Sequence, residues 1–236
     1  MTYNSCFNLT GSPVCGNNVV NMVATYRYCT KLTGSPVCGD NVTDMSETYN
    51  NCSNLTGSPV CGDKVTNMSC SYYNCSNLTG SPVCGNNVVN MQSAYRNCRN
   101  LTGSPVCGDN VIYMGTAYEL CKNLVGPAIC GSNVQSVHGT YYGCSNLTGN
   151  AYFYSNQISN ADSCFQNINT SKMLNIYVPS NSISLNTLLY NNTSSLVGAN
   201  ITYTNDSANN CYYNTQYNIY IHPVENVAAA RAANGD

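Results

Sequence analysis

Charge is what this sequence has least of. Asp, Glu, Lys and Arg make up 8% of the 236 residues and leave a net charge of −2, whereas about a quarter of an ordinary globular chain is charged. A protein that binds a phosphate backbone needs clustered Lys and Arg side chains, and the eight basic residues here form no such cluster. The composition therefore argues against nucleic acid as a partner.

The sequence also lacks a long apolar run and a visible signal peptide. A helix that crosses a bilayer needs about 18 or more consecutive apolar residues, and no stretch comes close to that, so we expect no membrane insertion. The first residues, Met1 to Cys6, contain neither the basic nor the apolar part of a signal peptide. Either the chain is part of a longer protein, or it leaves its cell by a route other than ordinary secretion.

Residue groupings that carry catalysis or bind metals are missing as well. There is no Cys-x-x-Cys pair, and the two histidines, His138 and His222, have no ligand spacing around them. The carboxylates are few and scattered, and no phosphate-binding loop or nucleophile–base pair is recognisable. We therefore predict that the chain is not an enzyme and has no catalytic residues, bound metal or cofactor.

In place of such groups, the first 150 residues carry a repeat with a 23-residue period. Its consensus reads Cys-x-Asn-Leu-Thr-Gly-Ser-Pro-Val-Cys-Gly-x-Asn-Val-x-x-Met-x-x-x-Tyr-x-x. A fixed period of this size indicates units that stack, because one unit alone cannot bury a core. Equivalent residues then form ladders along the stack. The predicted leucine ladder is Leu9, Leu32, Leu55, Leu78, Leu101, Leu124 and Leu147. The predicted cysteine ladder is Cys6, Cys29, Cys52, Cys75, Cys98, Cys121 and Cys144.

Two stretches of the repeat predict local structure. The Leu-x-x-x-x-Val stretch predicts a short or irregular strand, since its proline cannot donate a hydrogen bond to a neighbouring strand. The Asn-Val-x-x-Met-x-x-x-Tyr stretch has apolar residues at a spacing that fits one or two helical turns.

The repeat resembles the BspA-type leucine-rich repeat, which has the same period, over roughly residues 3–149. The stretch NVTDMSETYNNCSNL (residues 41–55) resembles the related bacterial surface-protein repeat. The chain departs from the family in having Thr-Gly-Ser-Pro-Val-Cys after the leucine, and Tyr26 with its equivalents in place of phenylalanine. The resemblance implies an α/β fold: a leucine-rich-repeat solenoid of 23-residue coils with a short parallel β-sheet and a β-rich C-terminal cap.

The repeat decays after Leu147, which predicts two domains, residues 1–149 and residues 150–236. Residues 175–179 and 219–221 alternate in the manner of strands. The C-terminal part is either a cap over the open end of the stack or a small tip that carries specificity. The alanine-rich stretch from Val227 to Arg231 is either a short helix or a frayed tail.

The sixteen cysteines allow two interpretations. They either cross-link the coils as disulfides or stack as small buried apolar residues. The consensus has a cysteine at two places, and both recur in every full repeat. This favours stacking, because disulfide frameworks rarely repeat with a translational period.

Some positions vary between units while the ladders stay constant, and one such row is our candidate binding surface. The row is Arg27, Asn50, Tyr73, Arg96, Glu119 and Tyr142. Variation on a constant frame suits recognition, but neutral drift on a solvated face would produce the same pattern.

The family resemblance implies a role in adhesion or recognition, since related repeats occur in bacterial adhesins, protist surface proteins and tail-associated proteins of gut phages. We predict a non-catalytic module for host-cell or surface recognition, in a phage tail fibre or on a gut-bacterial surface. Its expected partners are a host-surface protein or glycan, and sister chains in a homo-oligomer. The expected location is the virion or the bacterial surface. The alternative is a structural virion component, such as a fibre shaft or decoration protein, that binds no ligand of its own.

Overall fold

The computed structural model describes residues 3–190, 196–198 and 201–236. Within these residues, regular secondary structure is confined to the second half of the chain. The strands are β1 (Ala128–Cys130), β2 (Gly149–Phe153), β3 (Leu174–Pro179), β4 (Thr204–Asp206), β5 (Cys211–Asn214) and β6 (Ile219–Val224). The helices are α1 (Ile183–Tyr190) and α2 (Val227–Ala233).

The six strands form one mixed sheet in the order β1-β2-β3-β6-β5-β4. Strands β1, β2, β3 and β6 are parallel, and β5 and β4 continue the sheet in antiparallel pairing. Ala128, Ala151, Ile176 and Ile221 lie in one line across the four parallel strands, and all four are fully buried. The alternation of apolar residues in β3 and β6 therefore turns one face of the sheet towards the core.

The predicted fold, an α/β leucine-rich-repeat solenoid with a parallel sheet along its coils and a β-rich cap, is wrong. The finding that overturns it is a small mixed sheet of six strands with two short helices, whose first strand begins only at Ala128. Residues 3–127 contain neither a strand nor a helix. Single-residue parallel bridges, such as that between Asn21 and Asp44, link neighbouring repeats there.

Proline explains why the predicted strand is missing from the early repeats. The residue 23 positions before Ala128 is Pro105, and the four earlier repeats also have proline at this place. Proline has no N–H to donate, and the glycine two residues earlier has a positive φ, for example +81° at Gly103. Pairing begins where alanine replaces proline, since Ala128 is in register with Ala151.

Left-handed residues explain why the predicted helical turns do not form. Ala24 has φ +51° and Tyr28 has φ +60°, and equivalent residues in the following repeats share these values closely. Between Met22 and Tyr28, alternate N–H groups donate to carbonyl oxygens of the next repeat at 2.8–2.9 Å. The N–H groups of Thr25 and Arg27 instead donate to carbonyls three residues earlier. Successive turns thus satisfy the backbone both within and between repeats.

The repeats share a core of stacked side chains. The tyrosines from Tyr26 to Tyr141 stack nearly parallel in successive repeats, with ring centroids 5.4–6.0 Å apart. The hydroxyls of four of them, from Tyr26 to Tyr95, donate at 2.7 Å to the carbonyl of the valine twelve residues earlier. In the predicted leucine ladder, Leu9 is half-buried, and the members from Leu32 to Leu147 are buried.

The core continues past the position at which the sequence predicted a domain boundary. Residues 149 and 150 both lie in β2, which pairs with β1 on one side and β3 on the other. One cluster of buried apolar side chains extends from Met22 to Ile221. The repeats and the sheet are therefore joined by continuous packing.

Candidate functional site

Thirteen of the sixteen cysteines lie in two rows that follow the repeat, and all sixteen are free thiols. In the predicted cysteine ladder, Cys6 is exposed and the members from Cys29 to Cys144 are buried. Burial raises the pKa of Cys52 and Cys121 from 9.0 to about 12. A thiol that stays protonated is a poor nucleophile and a poor metal ligand. No three His, Cys, Asp or Glu side chains are grouped to hold a metal ion in the part of the chain that the structure describes.

The two histidines have different surroundings. His138 is exposed in a turn of the sixth repeat. His222 lies in β6, where its ring stacks on Tyr177 with centroids 4.8 Å apart and its Nε2 is 3.1 Å from Oδ1 of Asn175. Burial lowers the pKa of His222 below its usual value of 6.5.

The predicted binding residues form a row in which Asn50 is buried and the others are half-buried. Ion pairs occupy part of it: Arg96 Nη2 lies 2.9 Å from Glu119 Oε1, and Arg27 Nη1 lies 2.9 Å from Glu47 Oε2. The Arg96 guanidinium also lies over the ring of Tyr73, 5.5 Å from its centroid. Contacts within the protein therefore use some of the polar groups that a ligand would need, and Tyr142 at the end of the row accepts from Asn167 at 2.9 Å.

A second surface, outside the row of predicted binding residues, is an open groove of about 600 Å³ that crosses five repeats. We call it the asparagine groove. Its outer edge is Lys64, Asn87, Asn110, Asn133 and Gln157. Its floor is Thr66, Val89, Ile112 and Gln135. The outer residues are exposed, whereas Val89 and Ile112 in the centre of the floor are half-buried.

The asparagines of the outer edge have a fixed orientation. Nδ2 of Asn87, Asn110 and Asn133 each donates to a backbone carbonyl of the preceding repeat at 2.8 Å. Because a carbonyl can only accept, the amide nitrogen must face the backbone, and Oδ1 lies on the side of the amide away from that carbonyl. The groove thus presents a row of hydrogen-bond acceptors with one spacing, the separation of neighbouring repeats.

Lys64 shows how an acceptor of this row can be covered. It occupies an asparagine position of the repeat, and its Nζ donates to Oδ1 of Asn41, one repeat earlier, at 2.6 Å. Lys31 makes the same contact with Asn8, at 2.9 Å, on a separate row of exposed asparagines. The chain therefore contains two rows in which lysine replaces asparagine without disturbing the stack.

The sequence did contain a signal for the groove. The asparagine before the conserved valine recurs in five of the six full repeats, so it belongs to the consensus, and its position also counts among those that vary between repeats because Lys64 replaces it. Its exposure could not be inferred, because exposure depends on how the turns fold back on each other. The neighbouring positions of the floor did appear among the variable ones.

Comparison with known proteins gives one match. Residues 70–94 match the family model of the Kazal-type serine protease inhibitor domain. No curated protein and no solved structure matches the chain. The matched family is one of inhibitors and not of enzymes.

The matched segment is about one repeat long and is built like the other repeats. It contains Cys70, Cys75 and Cys84, all of which are free. Chains shorter than about 40 residues seldom fold alone without disulfides or metals. The segment instead shares hydrogen bonds with the repeats on both sides, for example from Asn74 N to the carbonyl of Arg96 and from Asn51 N to the carbonyl of Tyr73.

These findings also correct functional descriptions that depended on the resemblance. With the leucine-rich-repeat solenoid overturned and the family match pointing to an inhibitor domain, the descriptions BspA-like, phage tail fibre, viral protein, cell adhesion and host recognition have no support. Among the residues that the structure describes, no helix is both long and apolar enough to cross a membrane.

Proposed function

We propose that the chain is a non-catalytic binding protein that holds a surface glycan or protein against a face built by its repeats. The observation that carries this proposal is the asparagine groove, an open cleft across five repeats with acceptors in one orientation. The protonated state of the buried thiols supports a role without catalysis. Location on a bacterial surface or in a virion stays a prediction.

The test is saturable binding of the labelled full-length chain to intact bacterial cells and to immobilised surface glycans and proteins. A groove variant combines Asn110→Lys with Ile112→Thr, and a row variant combines Tyr73→Asn with Tyr142→Asn. Each introduced residue already occurs at the equivalent position of another repeat. The control is Asn100→Lys, which repeats the Lys31 exchange on the separate asparagine row.

Binding that one of the two variants loses and the control keeps supports the proposal and identifies the face. An absence of binding to every probe overturns it, and so does binding that all three variants retain. Thermal unfolding of each variant shows whether a loss of binding reflects a loss of fold.

A serine protease inhibitor is the second candidate, because residues 70–94 match an inhibitor domain. Stoichiometric inhibition of trypsin, chymotrypsin or elastase by the full-length chain would favour this candidate over the first. Cleavage of the chain by these proteases without inhibition would remove it.

Assembly with sister chains is the third candidate, and the first repeat favours it. Phe7, Val14 and Val20, all in the first repeat, are 57%, 70% and 55% exposed, and large exposed apolar patches mark interaction surfaces. Light scattering on the full-length chain tests this candidate. A monomer at high concentration would contradict it, whereas a discrete oligomer that Val14→Ser and Val20→Thr disrupt would support it.

A further inference from the structure

We propose that the asparagine groove binds a neutral oligosaccharide that lies along the stack of repeats. This inference rests on the proposed function and deepens it by naming the class of ligand. It depends on three properties of the groove: the direction of its amides, its charge and its floor.

The amides select a ligand that donates hydrogen bonds. Nδ2 of Asn87, Asn110 and Asn133 donates one of its two N–H groups to the backbone, so each of these side chains, which line the groove, offers a ligand Oδ1 with its two lone pairs and at most one N–H. A ligand that only accepts hydrogen bonds, such as a phosphate or carboxylate, therefore leaves every Oδ1 of the edge without a partner and can use only the remaining N–H of each amide. Hydroxyl groups can donate to these oxygens, and a sugar carries several of them on each ring.

The charge of the groove excludes a strongly ionic ligand. Lys64 is the only charged residue among those that line it, and its ammonium group already donates to Asn41. One partly committed cation cannot hold a polyanion, which needs several basic side chains. A neutral polymer meets no such requirement.

The floor provides an apolar strip under the acceptors. Val89 and Ile112 lie next to each other in consecutive repeats, and both are half-buried with their remaining surface in the groove. The face of a sugar ring that carries C–H groups is itself apolar, and it can cover this strip while the hydroxyls at the ring edge reach the asparagines. The combination of an apolar floor and a polar edge is typical of small-ligand sites.

The spacing of the acceptors disfavours an extended peptide. Neighbouring repeats in parallel register lie about 4.8 Å apart, whereas the N–H groups on one side of an extended peptide recur about every 6.8 Å. A peptide along the groove would therefore fall out of register after one contact. The five rungs of the edge span four intervals, or about 19 Å on the same spacing, which accommodates a short oligosaccharide and not a single sugar.

The experiment measures binding of the full-length chain to neutral oligosaccharides of two to six sugar units, built from glucose, galactose, mannose and N-acetylglucosamine. We expect affinity for at least one series to rise with length and then to level off when the groove is full. Asn110→Lys is the main variant, because its ammonium group would cover Oδ1 of Asn87 as Lys64 covers that of Asn41. It thereby removes two acceptors, which lowers affinity about tenfold or more.

Two further variants separate the floor from the charge. Ile112→Thr removes half of the apolar strip with a residue that the chain uses at position 66, and should weaken binding several-fold. Asn100→Lys adds the same charge outside the groove and should leave affinity unchanged. Lys64→Asn restores the repeat consensus and removes the ammonium group that covers Oδ1 of Asn41, so it should raise the affinity.

The outcomes distinguish the ligand class from the broader function. Binding of extended peptides in the groove, sensitive to Asn110→Lys and without oligosaccharide binding, overturns this inference and leaves the proposed function intact. Binding of an anionic polysaccharide that requires Lys64 and disappears in salt also overturns the inference alone. If oligosaccharides, peptides and intact cells all fail to bind, the inference and the proposed function both fall.

Discussion

The thiol of Cys75 donates a hydrogen bond to the carbonyl oxygen of Tyr49, one repeat earlier in the stack, over 3.0 Å. The same carbonyl accepts from the backbone N–H of Cys52 at 2.9 Å. Equivalent contacts recur from the pair of Cys29 and Tyr3 to the pair of Cys144 and Tyr118. The buried cysteines therefore link neighbouring repeats as reduced thiols, by a side-chain hydrogen bond and by packing.

This contact predicts the effect of removing one thiol. Cys75→Ala leaves a small cavity and deletes a buried hydrogen bond, so we expect a loss of about 1–2 kcal/mol in the free energy of unfolding. Cys6→Ala is the control, because Cys6 is exposed and exposed substitutions usually change stability by less than about 0.5 kcal/mol. Urea unfolding in the presence of a reductant measures both. Equal stabilities of the two variants would contradict the prediction.

The sequence predicted the periodicity and the buried series but not the conformation of the chain between them. Periodicity depends only on which residues recur, and burial of Leu55, Cys75 or Tyr72 follows from stacking. The conformation depended on two features that residue spacing does not reveal: left-handed backbone angles and the position of one proline in each repeat. A spacing of three and four residues suggested helix, yet Ala24 and its equivalents adopt the left-handed region. Because each of the first five repeats has a proline at the position of Ala128, the first strand begins only at Ala128.

The groove illustrates the same limit at the level of the site. An asparagine at a constant place fits a structural role and a binding role equally well in a sequence. The structure shows the structural role, since Nδ2 of Asn110 donates to the preceding repeat, and it places the same exposed side chain on the edge of the groove, where the binding role is proposed. The row predicted from variability, by contrast, contains the ion pair of Arg96 with Glu119.

The buried thiols predict a loss of stability at alkaline pH. Burial raises the pKa of Cys52, Cys61 and Cys121 from 9.0 to about 12. Between these values the unfolded chain releases protons that the folded chain keeps, so the free energy of unfolding falls as pH rises. We expect stability to be fully present below pH 9 and to be lost progressively towards pH 12. Urea titrations at several pH values, with reductant, measure this, and a constant stability up to pH 11 would contradict it.

The same burial predicts selective labelling of the thiols. At pH 8 iodoacetamide should modify the exposed Cys6 readily and the fully buried Cys75 and Cys98 only after unfolding, because only the accessible thiolate reacts. Mass spectrometry of peptides from native and urea-unfolded samples identifies the labelled sites. Rapid labelling of Cys98 in the native protein would show that the stack opens, and would contradict the prediction.

The close approach of neighbouring repeats at Gly80 predicts that a side chain at this position lowers stability. Gly80 has φ +79°, and a Cβ at this place would lie 3.1 Å from the Cβ of Ser58 and closer still to its hydroxyl. Gly11 has φ +89° but nothing within 4 Å of such a Cβ. Both alanine substitutions carry the backbone cost of about 1 kcal/mol, and Gly80→Ala adds a steric clash that costs about 1–3 kcal/mol more. Urea unfolding should therefore rank Gly80→Ala below Gly11→Ala in stability.

A second substitution tests the origin of that difference. Ser58→Ala removes the hydroxyl that crowds Gly80, so the double variant should regain part of the stability that Gly80→Ala loses. If the two substitutions are simply additive, steric crowding is not the cause.

Tyr72 and Tyr141 occupy equivalent places in the stack but differ in the partners of their hydroxyls. The hydroxyl of Tyr72 donates to the carbonyl of Val60 at 2.7 Å and accepts from the N–H of Val60 at 3.1 Å. The hydroxyl of Tyr141 is buried without a hydrogen-bond partner. The cause is strand β1, because Ile129, the counterpart of Val60, donates its N–H to Pro105 instead.

Opposite effects of one substitution follow from this difference. Tyr72→Phe leaves two backbone groups of Val60 unpaired and should lower the free energy of unfolding by about 1–3 kcal/mol. Tyr141→Phe removes only an unpaired hydroxyl, so it should leave stability unchanged or raise it by up to about 1 kcal/mol. The chain already places phenylalanine next in this stack, where Phe165 lies 5.3 Å from Tyr141 between ring centroids. Both variants keep the ring, so urea unfolding isolates the hydroxyl, and equal losses would show that Tyr141 has a partner after all.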